Sequence, residues 1–361
     1  MSAAVLNTSI GPASAKAAIT TAFEAKRPIF LWGPPGIGKS DIVKQIGNNM
    51  NAHVIDVRLS LWDPTDIKGI PYFDSVDSTM KWAPPAELPT QDAAAHHERI
   101  ILFLDELNSA PPAVQAGAYQ LILNRKVGQY TLPDNVLIVA AGNRDNDRGV
   151  TYRMPAPLAN RFVHIEVRVD WDDWFDWATS SNISPEVVGY LTVNKKDLYD
   201  FDPRGSSHSF ATPRTWHFVS DLLATASTDN VKSTLISGTV GEGIALKFMA
   251  YRKTTSQLPN PRDILKGKVT KLNTKEISAM YSLAINMCYE LKDAFDKNLP
   301  DAPMQLNNFF RYMMDNFETE LVILSTRIAI KNYGIAIDPD EVDCFQEFHE
   351  RYGKFVSQAI N

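Results

Sequence analysis

The chain has 361 residues, 44% of them hydrophobic, enough to build one large core or two ordinary ones. Charged residues make up 22% and the formal net charge is -6, so the chain lacks the basic balance that draws a protein to nucleic-acid backbones. Cys288 and Cys344 stand far apart and outside metal or redox spacing, which reads as free thiols in a reducing, cytoplasmic compartment; no signal-like head and no apolar run of membrane-spanning length is expected.

Residues 15–25 are rich in helix formers with Ala15, Ile19, Ala22 and Phe23 on one face, so a packing helix is expected there. Residues 28–32 form a short apolar run that ends at Gly33. The stretch Gly33, Pro34, Pro35, Gly36, Ile37, Gly38, Lys39, Ser40 then fits the G-x-x-x-x-G-K-[ST] phosphate-binding pattern without a mismatch. In such a loop the glycines let backbone N–H groups close around a phosphate, the lysine reaches the β- and γ-oxygens, and the serine hydroxyl holds Mg²⁺. Ile42, Val43, Ile46 and Met50 follow at helical spacing, so the loop opens a helix whose dipole favours an anion.

Residues 53–59 alternate as a second strand. Between 60 and 90 five prolines exclude a long helix, and residues 70–73 and 79–82 read as the arms of a projecting hairpin. That hairpin is either a working part or an ordered surface loop with Tyr72 and Trp82 packed together. His96, His97 and Glu98, read as helical neighbours, point different ways and form a solvated face rather than a metal site.

Residues 99–106 run from bulky apolar side chains into Asp105 and Glu106. A buried parallel strand delivers its last residues to the ligand crevice, where Asp105 can meet a metal through water and Glu106 can activate a water for attack on a γ-phosphate; a helix cap is the alternative. A helix at 113–124 and a small hairpin at 125–132 precede another buried strand, 136–141, which ends at Asn143. That amide can orient the attacking water or tie down backbone. A short helix carries Arg161 into a strand at 163–167.

Asp170 opens a further helix in which Trp171, Trp174, Phe175 and Ala178 form a packing stripe. Beyond Thr212, Pro213 and Arg214 the chain becomes largely helical, with amphipathic stretches at 277–291 and 307–329. The expected organisation is an α/β nucleotide-binding domain at 1–168, with its insert near 60–90, and a helical region at 169–361.

The order of these motifs resembles the AAA+ ATPases, and more narrowly the MoxR-type group of the helix-2-insert clade, over roughly residues 15–270. In that resemblance residues 33–40 match Walker A, Leu102 to Glu106 Walker B, Asn143 sensor 1, residues 70–82 the helix-2 insert, Arg161 the arginine finger and Arg214 sensor 2 on a helical lid. Arg144, Arg148 and Arg153 are rivals for the finger, and a surface ion pair is the bland role for Arg161. The resemblance implies a parallel-sheet P-loop NTPase core with an α-helical lid, ATP and Mg²⁺ as ligands, a homo-oligomeric ring, usually a hexamer, and chaperone-like remodelling of a partner, commonly one bearing a von Willebrand factor A domain. A nucleotide-gated scaffold with negligible turnover is the alternative from another class, and a DNA motor is a third. The helices after about 270 match no motif.

Overall fold

The computed structural model describes residues 9–144, 146–147, 151–205 and 207–360. The chain divides into two compact units, residues 1–170 with 202–205 and residues 171–201 with 206–361.

The first unit is built on the apolar runs. Its elements in order are β1 (Ser9–Ile10), α1 (Pro12–Glu24), β2 (Ile29–Trp32), α2 (Lys39–Asn49), β3 (His53–Arg58), α3 (Pro64–Lys68), β4 (Ile70–Asp74), β5 (Thr79–Ala83), α4 (Gln91–Ala95), β6 (Ile100–Asp105), α5 (Pro112–Asn124), β7 (Lys126–Val127), β8 (Tyr130–Thr131), β9 (Val136–Gly142), α6 (Ala156–Ala159) and β10 (Val163–Val167). Six strands pair in the order β1-β10-β2-β9-β6-β3, every pair parallel. Each residue of β6 and β9 is buried, as continuous apolar strands covered on both faces must be, whereas β3 at the edge is half exposed. Because β2, β9 and β6 are neighbours, the ends of all three arrive side by side. This is a P-loop AAA fold with a central parallel sheet and flanking helices, followed by a helical C-terminal region.

The short β1 and the helix α3 carry no signal strong enough to be expected from sequence. His96 and His97 follow the end of α4 rather than lying on a helix; both are exposed, and the His97 ring stacks on His53 at 4.4 Å.

The β4–β5 ribbon pairs Pro71 with Trp82, Tyr72 with Lys81 and Phe73 with Met80. Directly opposed residues share a face and successive residues alternate, so Tyr72 and Trp82 lie on opposite faces and do not pack together. Ile70, Phe73, Val76 and Met80 are 71%, 69%, 89% and 62% exposed. Lys81 braces the tip through ion pairs with Asp74 and Asp77.

The second unit holds α7 (Trp171–Ser180), α8 (Pro185–Val193), α9 (Pro213–Ala224), α10 (Asp229–Val240), α11 (Glu242–Thr255), α12 (Pro261–Leu265), α13 (Ile277–Asp296), α14 (Ala302–Asn316), α15 (Thr319–Arg327) and α16 (Phe345–Ile360). Trp174, Phe175 and Ala178 are buried, and Trp171 stacks over the first two at 5.4 and 5.5 Å. The stretch 307–329 is not one helix. Phe317 is extended, with φ -123° and ψ 154°, and the Asn316 amide accepts from Leu272 N–H and donates to Thr270 O, so tertiary hydrogen bonds end α14 without a glycine or proline. Among the described residues no helix is long and apolar enough to cross a membrane.

Gly69, where α3 turns into the hairpin, has φ +87°, and a Cβ there would lie 1.9 Å from Ala83 O. A Gly69→Ala substitution is therefore expected to lower stability by about 1–3 kcal/mol; an unchanged urea-unfolding midpoint would show that the hairpin base is not closed as described.

Candidate functional site

The loop between β2 and α2 is shaped by its glycines. Gly36 and Gly38 have φ +77° and +89°, a region costly for other residues, and a Cβ on Gly33 would lie 2.5 Å from Ile37 Cδ1 and 2.9 Å from Val167 O. Gly38 is the N-cap of α2, so no side chain covers the first-turn N–H groups, which have no acceptor within the helix. The Lys39 ammonium lies over this cradle, donating to Gly33 O at 2.6 Å, Pro34 O at 3.1 Å and Asn143 Oδ1 at 3.0 Å.

Ser40 donates to Asp105 Oδ2 at 3.1 Å, and the Glu106 N–H donates to Asp105 Oδ1 at 2.9 Å. Burial pushes the Asp105 carboxyl above its ordinary value; these two hydrogen bonds and the nearby Lys39 charge oppose that rise. A hydroxyl beside a desolvated carboxylate is an oxygen donor set suited to a hard divalent cation, whose charge would relieve the burial cost. By themselves the described residues hold no group of three or more His, Cys, Asp or Glu able to bind a metal, so remaining ligands would have to be water and substrate oxygens.

Glu106 has φ +56°, a left-handed backbone that is uncommon for a non-glycine residue and holds its side chain at the sheet rim. Ser60 Oγ donates to its carboxylate, and Arg58 Nε stands 3.8 Å from Oε1. Neither residue is foreseen from the sequence. Their position follows from β3 pairing with β6, which sets Arg58 opposite Asp105, and only the strand order reveals it.

Asn143 sits at the end of β9, with its backbone O accepting from Asn108 Nδ2 at 2.8 Å. Asn108 is 1% exposed, and a Cβ on Gly142 would lie 2.1 Å from its Oδ1, so both residues are fixed by close packing. The Asn143 side chain meets Lys39, and the tie to backbone at this point is made by the Asn108 amide rather than by Asn143.

The arginines separate by place. Arg144 is engaged within its own unit: its Nε and Nη2 donate to buried Asp147, and Nη1 donates to Glu166 at 2.9 Å. Arg153 and Arg161 are exposed, and Arg148 lies outside the described residues. Arg161 precedes the first residue of β10, whose Val163 pairs with Ile29 while Glu166 pairs with Trp32. It therefore stands at the opposite end of the β2–β10 ladder from Gly33, roughly 13 Å or more away at about 3.3 Å per residue. There it shares a pocket with Lys26, Arg27, Arg99 and Arg125, set against Glu98 and Asp134. Arg214 belongs to the second unit, exposed in the first turn of α9, where Thr212 and Thr215 form a capping box.

A glycine-shaped loop at a helix N-terminus, a lysine over it and an acid at the neighbouring strand end define a P-loop nucleotide-binding domain. The family model described as AAA, ATPase family associated with various cellular activities, matches residues 29–169, so this segment is an AAA ATPase-family domain. The chain is 28% identical over 191 residues to midasin of Giardia intestinalis, covering 50% of this chain and 4% of that protein. It is 23% identical over 260 residues to an AAA ATPase forming ring-shaped complexes from Micrococcus luteus, covering 68% of this chain and 39% of that one. The chain thus spans well under half the length of these curated relatives. Among solved structures, a putative ATPase from Cytophaga hutchinsonii aligns over 98% of this chain and 91% of its own with 13% identity and a TM-score of 0.37. A RuvB variant from Thermotoga maritima aligns over 85% and 88% with 17% identity and a TM-score of 0.39.

Because burial favours the neutral Asp105 carboxyl, Asp105→Asn should raise the urea-unfolding midpoint of the nucleotide-free, magnesium-free protein at neutral pH. The folded carboxyl takes up its proton before the unfolded one does as pH falls, so wild type gains relative stability and the difference shrinks through that window. Destabilisation by Asp105→Asn at neutral pH would contradict this.

Proposed function

We propose that this chain is the subunit of an oligomeric, Mg²⁺-dependent ATPase ring, of the MoxR type, that couples hydrolysis to chaperone-like remodelling of a partner protein. The observation that carries the reading is the meeting of Lys39, Ser40, Asp105 and Asn143 around one glycine-shaped cradle. In this reading the first-turn N–H groups of α2 and Lys39 bind the phosphates of ATP. Ser40 and Asp105 hold the metal, and a bound Mg²⁺ would offset phosphate charge. Asn143 orients the attacking water and Glu106 takes its proton. In the conformation described, Glu106 is held by Ser60 and Arg58, so hydrolysis requires that contact to loosen; this same contact favours a nucleotide-gated switch with low basal turnover as the second reading.

Arg161 stands too far from its own loop to serve it, and the basic pocket around it suits an anion brought by a neighbouring subunit. A cation delivered in trans would stabilise transition-state charge and make turnover depend on assembly. Arg214 would sense the γ-phosphate from the helical lid. The hexameric state and a partner with a von Willebrand factor A domain extend the family resemblance, and the ring-forming Micrococcus relative agrees with an oligomer.

Steady-state phosphate release should fall by about 100-fold or more in Glu106→Gln and in Arg161→Ala. If wild type releases phosphate no faster than Glu106→Gln in any oligomeric state, hydrolysis is not its function. The exposed apolar residues of the hairpin point to contact with the partner. Deleting residues 75–78 should leave nucleotide affinity within about twofold while uncoupling turnover from the partner, because the tip shares no backbone with the cradle; unchanged coupling would remove the hairpin from the mechanism.

A further inference from the structure

One polar relay runs along the sheet between the two ends of the proposed shared site. Trp32, the residue before Gly33, donates from Nε1 to His164 Nδ1 at 2.8 Å. Indole N–H is a donor only, so Nδ1 must be the acceptor, which leaves the ring N–H on Nε2. That Nε2 is 2.7 Å from Ala159 O and donates to it. Ala159 is the last residue of α6, two positions before Arg161, and Arg161 N–H in turn donates to Leu158 O at 3.0 Å. The rings also pack: those of Trp32 and His164 stack at 22°, and Phe30 packs on Trp32 at 4.3 Å and on Phe162 at 5.5 Å. Two hydrogen bonds through His164 therefore join the side chain of the residue before the phosphate loop to the last carbonyl of α6, and the covalent backbone carries each end on, to Gly33 and to Arg161.

We infer that Trp32 and His164 are positioning residues that couple the phosphate loop of one subunit to the placement of that subunit's Arg161 in its neighbour's site. The inference rests on the shared-site reading above. Lys39 donates to Gly33 O, so a phosphate that drew the ammonium to itself would alter the residue next to Trp32. His164 transmits the change to the α6 turn, because it has one donor and one acceptor and both are used.

The test separates supply of Arg161 from use of it. Subunits with Arg161→Ala keep their own hydrolytic residues but offer nothing to a neighbour, whereas Glu106→Gln subunits keep Arg161 but are silent at their own site. Mixing the two should restore ATP turnover above either alone. Adding Trp32→Phe or His164→Phe to the Glu106→Gln subunit should cut the restored turnover about 10-fold, with the double change no worse than either single one. Binding of a fluorescent ATP analogue to these donor subunits should stay within about twofold, since the cradle groups themselves are untouched. Undiminished restoration overturns the relay, as does a loss that merely tracks weakened nucleotide binding. If even the plain Glu106→Gln donor restores nothing, the shared-site reading falls and takes the relay with it.

Discussion

Parallel register is the constraint on which the rest of the first unit depends. A parallel strand must be re-entered from the same end, so every crossover returns through a helix and every strand finishes on the same rim. The buried residues of β6 and β9 secure that arrangement at about 1.5–3 kcal/mol for each large apolar side chain withdrawn from water. The polar residues can then be few. Lys39, Asp105 and Asn143 need no long-range chain of contacts to find one another, because Asp105 ends β6, Asn143 follows β9 directly and Lys39 opens the helix after the β2 loop, and these three strands already lie side by side. The burial that organises the rim also raises the Asp105 carboxyl, so the candidate site is made at some expense to the stability of the nucleotide-free protein.

Much of this was legible from residue order, for a physical reason. The phosphate loop, the acid pair and Asn143 each lie within a few residues of a strand whose apolar run announces it, so local pattern and function coincide. Ser60, Arg58, Asn108, Trp32 and His164 were not legible as a set. Their contacts cross between strands distant in sequence, and a lone serine or histidine carries no periodicity. The break at Phe317 was hidden for a related reason: the Asn316 amide is recruited by residues 270–272, and burial of Phe317 against Tyr312 outweighs helix propensity. The surface-loop reading in which Tyr72 packs on Trp82 does not hold, because a hairpin's register, set by its turn, decides which side chains share a face.

The two rims of the sheet have different electrostatic characters. One carries Lys39 with Asp105 and Glu106; the other gathers Lys26, Arg27, Arg99, Arg125 and Arg161 in a chain whose formal net charge is -6. Five cations against Glu98 and Asp134 leave this rim net positive against the overall balance, and such an excess raises the local concentration of anions. Under the reading proposed above, the opposed rims make each subunit a donor at one end and an acceptor at the other. Head-to-tail contact of that kind is heterologous and closes into rings when the rotation permits.

The β4–β5 ribbon also has a bearing on how the protein stays in solution. A two-stranded ribbon has two open edges, and apolar side chains on both faces would make it a template for pairing with identical strands of other molecules. Pro71 removes one backbone donor from an edge, and Lys81 with Asp74 and Asp77 sets charge at the tip. These are gatekeepers against fibrous stacking, and they leave Ile70, Phe73 and Met80 uncovered. Colloidal behaviour and partner contact thus draw on the same few residues, so a substitution that makes the ribbon more polar to improve solubility removes the surface most suited to touching another protein.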